Sequence, residues 1–69
     1  MKQNELQKGK RYWFRNINQI YSGLYDGMEN EHLARLVRKN GDVWAIPPIN
    51  IFETKEKCIG KLKHVIVIE

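Results

Sequence analysis

Apolar and polar positions alternate along much of the chain with the period of two that marks a β-strand. Over Lys10–Arg15 the even positions continue as Tyr12, Phe14 and Asn16, and the odd ones are Arg11, Trp13 and Arg15. A run this rich in aromatic residues favours a strand. The even side is the expected core side, and the odd side sets Trp13 between two arginines. A polar break around Ile17 (Asn16–Gln19) separates this strand from the next, Ile20–Tyr25. There Ile20, Ser22 and Leu24 alternate with Tyr21, Gly23 and Tyr25. A glycine inside a strand marks a bulge or sharp bend, and a small barrel needs such a bend to carry one strand into both halves of its sheet. Asp26–Glu31 then reads as an acidic turn.

His32–Lys39 runs into Asn40-Gly41, a strong hairpin signal because a type I′ turn needs positive φ at both central residues. The return strand is Asp42–Ile46. A two-residue turn places Lys39 opposite Asp42, Arg38 opposite Val43, Val37 opposite Trp44 and Leu36 opposite Ala45. Ala34, Leu36, Val43 and Ala45 then share one side, and Val37, Trp44 and Ile46 share the other with Arg35. Both sides are partly apolar, so either a tail covers the second side or that side binds something. Pro47-Pro48 ends the strand, since proline cannot donate to a ladder. Ile49–Phe52 follows as a short strand or 3₁₀ turn. Thr54 is suited to cap a short helix or 3₁₀ turn within 53–62, with Glu56 in its first turn and Cys58, Ile59 and Leu62 on one face. Gly60 weakens that helix, and a strand is the competing reading for 56–62. His64–Glu69, rich in β-branched residues, reads as a terminal strand. Residues 1–9 are polar apart from Met1 and Leu6 and read as a loose arm.

At 69 residues the chain allows one domain and one core. No unbroken apolar run exceeds the four residues of Val65–Ile68, far short of the ~20 needed to cross a membrane as a helix. The first five residues carry charge with no apolar stretch behind them, so no secretory leader is expected. The single Cys58 cannot form an internal disulfide, and a reducing cytoplasm fits best. Together with His32 and His64 it matches no zinc-ligand spacing. The acidic turn lacks the regularly spaced oxygen ligands of a calcium loop, and no glycine-rich phosphate loop precedes a helix. Cys58 and His64 are six residues apart with no third orienting group, so a nucleophilic dyad has no support. The expectation is a non-enzyme without cofactor or metal. A net charge of +4 permits an anionic partner without requiring one.

Lys-Gly-Lys-x-Tyr-Trp-Phe at 8–14, Ile-Tyr-Ser-Gly-x-Tyr-x-Gly at 20–27, Asn-Gly-Asp-Val-Trp-x-Ile-Pro at 40–47 and Ile-Phe-x-Thr-Lys-Glu at 51–56 follow one another. This order resembles small SH3-like β-barrel proteins of phages and prophages, over roughly residues 8–57. The resemblance implies an all-β fold: a small five-stranded antiparallel SH3-like barrel with a short C-terminal helix or 3₁₀ turn. Its motifs are structural, a bent strand, a tight hairpin and a proline-ended strand, and they carry over no functional residues. The stretch from Gly60 to Glu69 lies outside it.

Two binding surfaces stand out. Trp44, Tyr21, Tyr25, Val37 and Ile46 are more large apolar groups than so small a core can take beside Tyr12, Phe14, Leu24, Leu36 and Phe52. With Arg35 and Arg38 they form a candidate protein interface, since aromatic residues and arginines are common anchors. Lys8, Lys10, Arg11, Trp13, Arg15 and Lys39 form a candidate nucleic-acid surface, in which a base stacks on the ring and cations follow the phosphates. The resemblance and the lack of catalytic groups favour a phage-type protein that binds a host macromolecule, a host protein first, and inhibits or remodels it by steric occlusion. Single-stranded DNA or RNA binding is the alternative. A homo-oligomer that sequesters a small ligand is the third reading, with the C-terminal strand edge as the joining surface.

Overall fold

The computed structural model describes all residues from Met1 to Glu69. Six strands share one sheet: β1 (Arg11–Asn16), β2 (Gln19–Met28), β3 (Ala34–Val37), β4 (Val43–Ile46), β5 (Ile51–Phe52) and β6 (Ile66–Val67). One helix, α1 (Lys55–Ile59), precedes β6. The fold is mainly β, as the alternation predicts. The strand order is β4-β3-β2-β1-β5, antiparallel at each step. The terminal strand expected over His64–Glu69 forms only at Ile66–Val67, a sixth strand beyond the five expected of the barrel: β6 lies parallel to the start of β2, with Gln19 opposite Ile66 and Ile20 opposite Val67. No pairing joins β4 to β5.

The even side of β1 is the core side. Tyr12 and Phe14 are fully buried, with Leu6, Tyr21, Tyr25, Ala34, Leu36 and Ile51 around them. Phe14 stacks on Tyr21 at 5.5 Å between ring centroids, and Tyr12 meets Tyr25 edge-on at 6.5 Å. Such ring pairs add ~0.5–1.5 kcal/mol each beyond their buried area. α1 packs against β1, β5 and β2. Ile20, Ser22 and Cys58, outside the aromatic core cluster, are buried as well. Ile20, Tyr21, Ser22 and Gly23 are therefore buried in sequence, which period-two alternation with one wet face does not produce. Thr54 caps α1 as its position predicts, its hydroxyl accepting from the Lys57 N–H at 3.1 Å. The competing strand over 56–62 does not form.

Three expectations need correction. The β3–β4 loop has three residues, Lys39–Gly41. Arg38 N–H donates to Asp42 O (2.8 Å) and Gly41 N–H to Arg38 O (2.9 Å). Gly41 has φ +91° while Asn40 has no positive φ, the pattern of a left-handed glycine closing a three-residue loop. Val37 thus faces Val43, Leu36 faces Trp44 and Ala34 faces Ile46. One step of register turns every β4 side chain to the other side. Ala34, Leu36, Trp44 and Ile46 now share the core face, so the hairpin has one apolar face rather than two halves. Second, β2 continues through Asp26 and Gly27 to Met28, with an irregularity in its pairing to β3 between Tyr25 and Met28, so the acidic turn is shorter than Asp26–Glu31. Third, residues 1–9 are not loose. Leu6 is in the core, Met1 N donates to Pro48 O (2.8 Å) and Ile51 O (2.9 Å), and Gly9 N–H donates to Tyr25 O (2.8 Å).

Gly23 sits where β2 turns from β1 toward β3. A methyl group there would stand 3.0 Å from Val37 O and 3.3 Å from the Leu36 carbonyl carbon. Both are backbone atoms of a paired strand and cannot step aside cheaply. Gly23→Ala is expected to destabilise the fold by ~1–3 kcal/mol, the usual cost of overpacking. Urea unfolding followed by circular dichroism measures it.

Candidate functional site

The odd side of β1 presents Arg11, Trp13 and Arg15 in a row. β5 aligns Phe52 with Trp13. Arg11 donates to the Ser22 hydroxyl (2.9 Å), and Arg15 to the Cys58 carbonyl (3.3 Å) near the end of α1. Lys55 Nζ stands 5.8 Å from the Trp13 ring centroid, close enough for cation–π attraction. Trp13 is half-buried, wedged rather than free.

Beside this row the molecule has one pocket, an open one of about 280 Å³ lined by Arg15, Ile17, Asn50 and Phe52. A guanidinium, an amide, an aromatic ring and an aliphatic chain thus converge on one space. Ile17 and Ile49 are also the most exposed large apolar residues of the chain, at 86% and 79%. Ile17 lines the pocket, and Ile49 adjoins Asn50.

Ile17 is strained as well as exposed. Asn16 pairs directly with Gln19, so Ile17-Asn18 is a two-residue hairpin turn. Ile17 has φ +57°, a region where glycine is the usual occupant and a β-branched residue is an outlier. Backbone strain of this kind gathers at functional sites.

The structure separates the two predicted sets of residues. Of the protein-interface set, Tyr21 and Tyr25 are buried, and Trp44 and Ile46 pack against the core. Val37 is half-buried. Arg35 pairs with Glu29 (3.2 Å) and Asp26 (3.9 Å). Arg38 pairs with Asp42 (3.6 Å) and lies 4.8 Å from the Tyr21 ring centroid. This set does not come together as a surface: Tyr21 and Tyr25 lie on the core side of β2, and the β3–β4 register turns Trp44 and Ile46 to the same core. Of the nucleic-acid set, Arg11, Trp13 and Arg15 stay together. Lys8 is exposed, and Lys10 pairs with Glu53 at 3.8 Å. Lys39 lies in the β3–β4 loop, at the other end of the strand order. Asn50, Phe52 and Ile17 escape sequence reasoning. The one available signal was an isoleucine alone in a polar turn.

Cys58 lies beneath Arg15. Burial pushes its thiol above the ordinary range, and the Arg15 charge offsets that only in part. The side chain is fully buried and packs as a small apolar group. No three His, Cys, Asp or Glu side chains gather as metal ligands, and no helix is long and apolar enough to cross a membrane. No family model matches the chain, and comparison with curated proteins and solved structures gives no match either.

Ile17→Gly relieves the left-handed strain, which costs ~1–2 kcal/mol for a residue with a Cβ, while glycine gives back part of that through unfolded-state entropy. The variant is expected to be more stable than the parent by about 1 kcal/mol. Thermal unfolding measures the rise in Tm; a fall would show that Ile17 is held by packing rather than strain.

Proposed function

We propose that this chain is an SH3-like barrel acting as a non-catalytic binding module, and that its ligand is single-stranded nucleic acid held at the Arg15 end of β1, beside α1. The barrel reading rests on the sequential β1–β4 meander, the 3₁₀ turn Pro48–Asn50 after β4, and the return of β5 to β1. It agrees with the resemblance over residues 8–57 to phage and prophage proteins, and cytoplasmic action in a host cell follows from that resemblance.

The observation that carries the ligand reading is the pocket of Arg15, Asn50, Phe52 and Ile17 set beside Arg11 and Trp13. An unstacked base can lie against the Phe52 ring and Ile17, with the Asn50 amide at its polar edge. The Arg15 and Arg11 guanidinium groups then meet the adjoining phosphates. Stacking on a ring tolerates any base, and cations fix the backbone without reading sequence. Charge supports the same side. Residues 53–63, which include α1, carry four lysines against two glutamates, and of these Glu53 pairs with Lys57 (3.9 Å) and with Lys10. The carboxylates of Asp26 and Glu29 face Arg35 instead, on the β2–β3 side.

Steric inhibition of a host protein is the second reading. Ile17 and Ile49, exposed on neighbouring turns, favour it, because exposed apolar residues beside an arginine suit a protein interface.

Titration with a mixed-sequence single-stranded oligonucleotide, followed by tryptophan fluorescence at low and physiological salt, tests the choice. Saturable quenching that weakens steeply with salt is expected. Arg15→Glu should weaken binding roughly tenfold or more at low salt, by removing one phosphate contact and adding a repulsive charge. Its circular dichroism should match the parent. Absence of quenching at either salt would remove the nucleic-acid reading. A host-protein complex that tolerates salt and is lost on replacing Ile17 and Ile49 with serine would put the second in its place.

A further inference from the structure

β6 leaves one edge without a partner. Ile66 N–H donates to Asn18 O (2.9 Å) and Ile68 N–H to Ile20 O (2.8 Å). In a strand, successive residues send their N–H and C=O groups to opposite edges. Those of Val65 and Val67 therefore point away from β2, and no strand lies on that side. The segment Val65–Ile68 is apolar and β-branched throughout. Ile66, Val67 and Ile68 are 53%, 41% and 40% exposed. It contains neither proline nor an internal charge, the usual devices that blunt an edge.

Its flanks are charged in a definite sense. Lys61, Lys63 and His64 precede the segment, and Glu69 follows it. A parallel partner of the same sequence would set like charges together. An antiparallel copy sets opposite charges together. Backbone parity gives the same answer. In an antiparallel pair centred on Ile66, Val65 of one copy faces Val67 of the other, and these are the residues whose N–H and C=O groups point outward. The same register brings Lys63 beside Glu69 of the second copy. Glu69 leaves the strand line, with φ +59°, so that contact is made by side chains rather than by the ladder.

We infer that β6 pairs antiparallel with β6 of a second copy of this chain, about a two-fold axis at Ile66. Two Val65–Val67 hydrogen-bonded pairs and two Lys63–Glu69 ion pairs then close the interface. The surface covered is small, so the dimer is weak and concentration-dependent. It joins the two sheets into one through residues none of which lines the Arg15 pocket, so it does not rest on the nucleic-acid reading.

Sedimentation equilibrium over a range from about 10 μM to about 1 mM tests this, the range suited to a weak association. The mass should rise from 8.2 kDa toward twice that value. A monomer throughout would overturn the inference. Val67→Pro removes an outward donor and leaves the bonds of Ile66 and Ile68 to β2 in place. With circular dichroism unchanged it should be monomeric throughout; a folded Val67→Pro variant that still dimerises would place the interface elsewhere. Lys63→Glu and Glu69→Lys, each alone, should raise the dimer Kd roughly three- to tenfold, as expected for two cross-strand charge pairs. The double variant should restore it. A double variant as weak as either single one would rule out this register, whatever Val67→Pro does.

Discussion

β2 serves three partners. It pairs with β1 from Gln19 to Leu24, with β3 from Leu24 to Met28, and with β6 at Gln19 and Ile20. One strand can do this only if it bends and if a neighbouring backbone can come close at the bend. Gly23 supplies the space: Val37 O lies where a methyl group would nearly touch it. From that approach follow the depth of the core and the seating of Leu36 beneath Tyr25 in the ladder. The close run of buried residues Ile20–Gly23 follows as well, with the aromatic core on one side and the region covered by α1 on the other.

How much of this could be read from the residues depended on whether a local rule had a rival. The period of β1 has none, because Tyr12 and Phe14 are large, adjacent in phase and flanked by arginines. Thr54 was legible for a similar reason: its hydroxyl has a backbone donor three residues on, and Glu56 supports the first turn. Asn40-Gly41 does have a rival. The same dipeptide closes a two-residue loop when both residues take positive φ and a three-residue loop when glycine alone does. What decides is burial of Trp44 beside Phe14 and Tyr21, at 5.5 and 5.1 Å, and that is a tertiary fact. The apparent surplus of large apolar residues resolves in two ways: this step of register turns Trp44 and Ile46 to the core, while Leu24 is exposed and Phe52 sits at the pocket instead of in the core. The N-terminal arm was misread because one leucine makes no periodic signal. Its order comes from Leu6 entering the core and from hydrogen bonds to residues more than forty positions away.

The candidate site was legible in half. Arg11, Trp13 and Arg15 share a side of one strand, and alternation alone puts them there. Asn50, Phe52 and Ile17 come from a 3₁₀ turn, a two-residue strand and a hairpin tip, and only the return of β5 to β1 joins them. Trp13 and Phe52 face each other because β5 runs antiparallel in that register; shifted by one, Phe52 would turn into the core and the pocket would lose its ring. The arginines are held differently. Arg35 and Arg38 already face carboxylates and are committed to the fold. Arg11 and Arg15 meet only a hydroxyl and a carbonyl, so no carboxylate neutralises either charge.

Ile17 joins stability to binding. A chain selected for stability alone would place glycine or asparagine at its left-handed position, and the turn would lose nothing. An isoleucine there costs backbone energy and exposes nearly all of its side chain, so the fold gains from it on neither count. The ligand proposed above offers what the folded monomer does not, a surface to cover that side chain. Ile17 lines the pocket with Arg15, Asn50 and Phe52, and a ligand seated there would bury it. The same reasoning applies at Ile66, Val67 and Ile68, where exposure meets an unpaired backbone edge instead of a pocket. These two places differ in what can satisfy them: a ring and a charge at the first, a strand at the second.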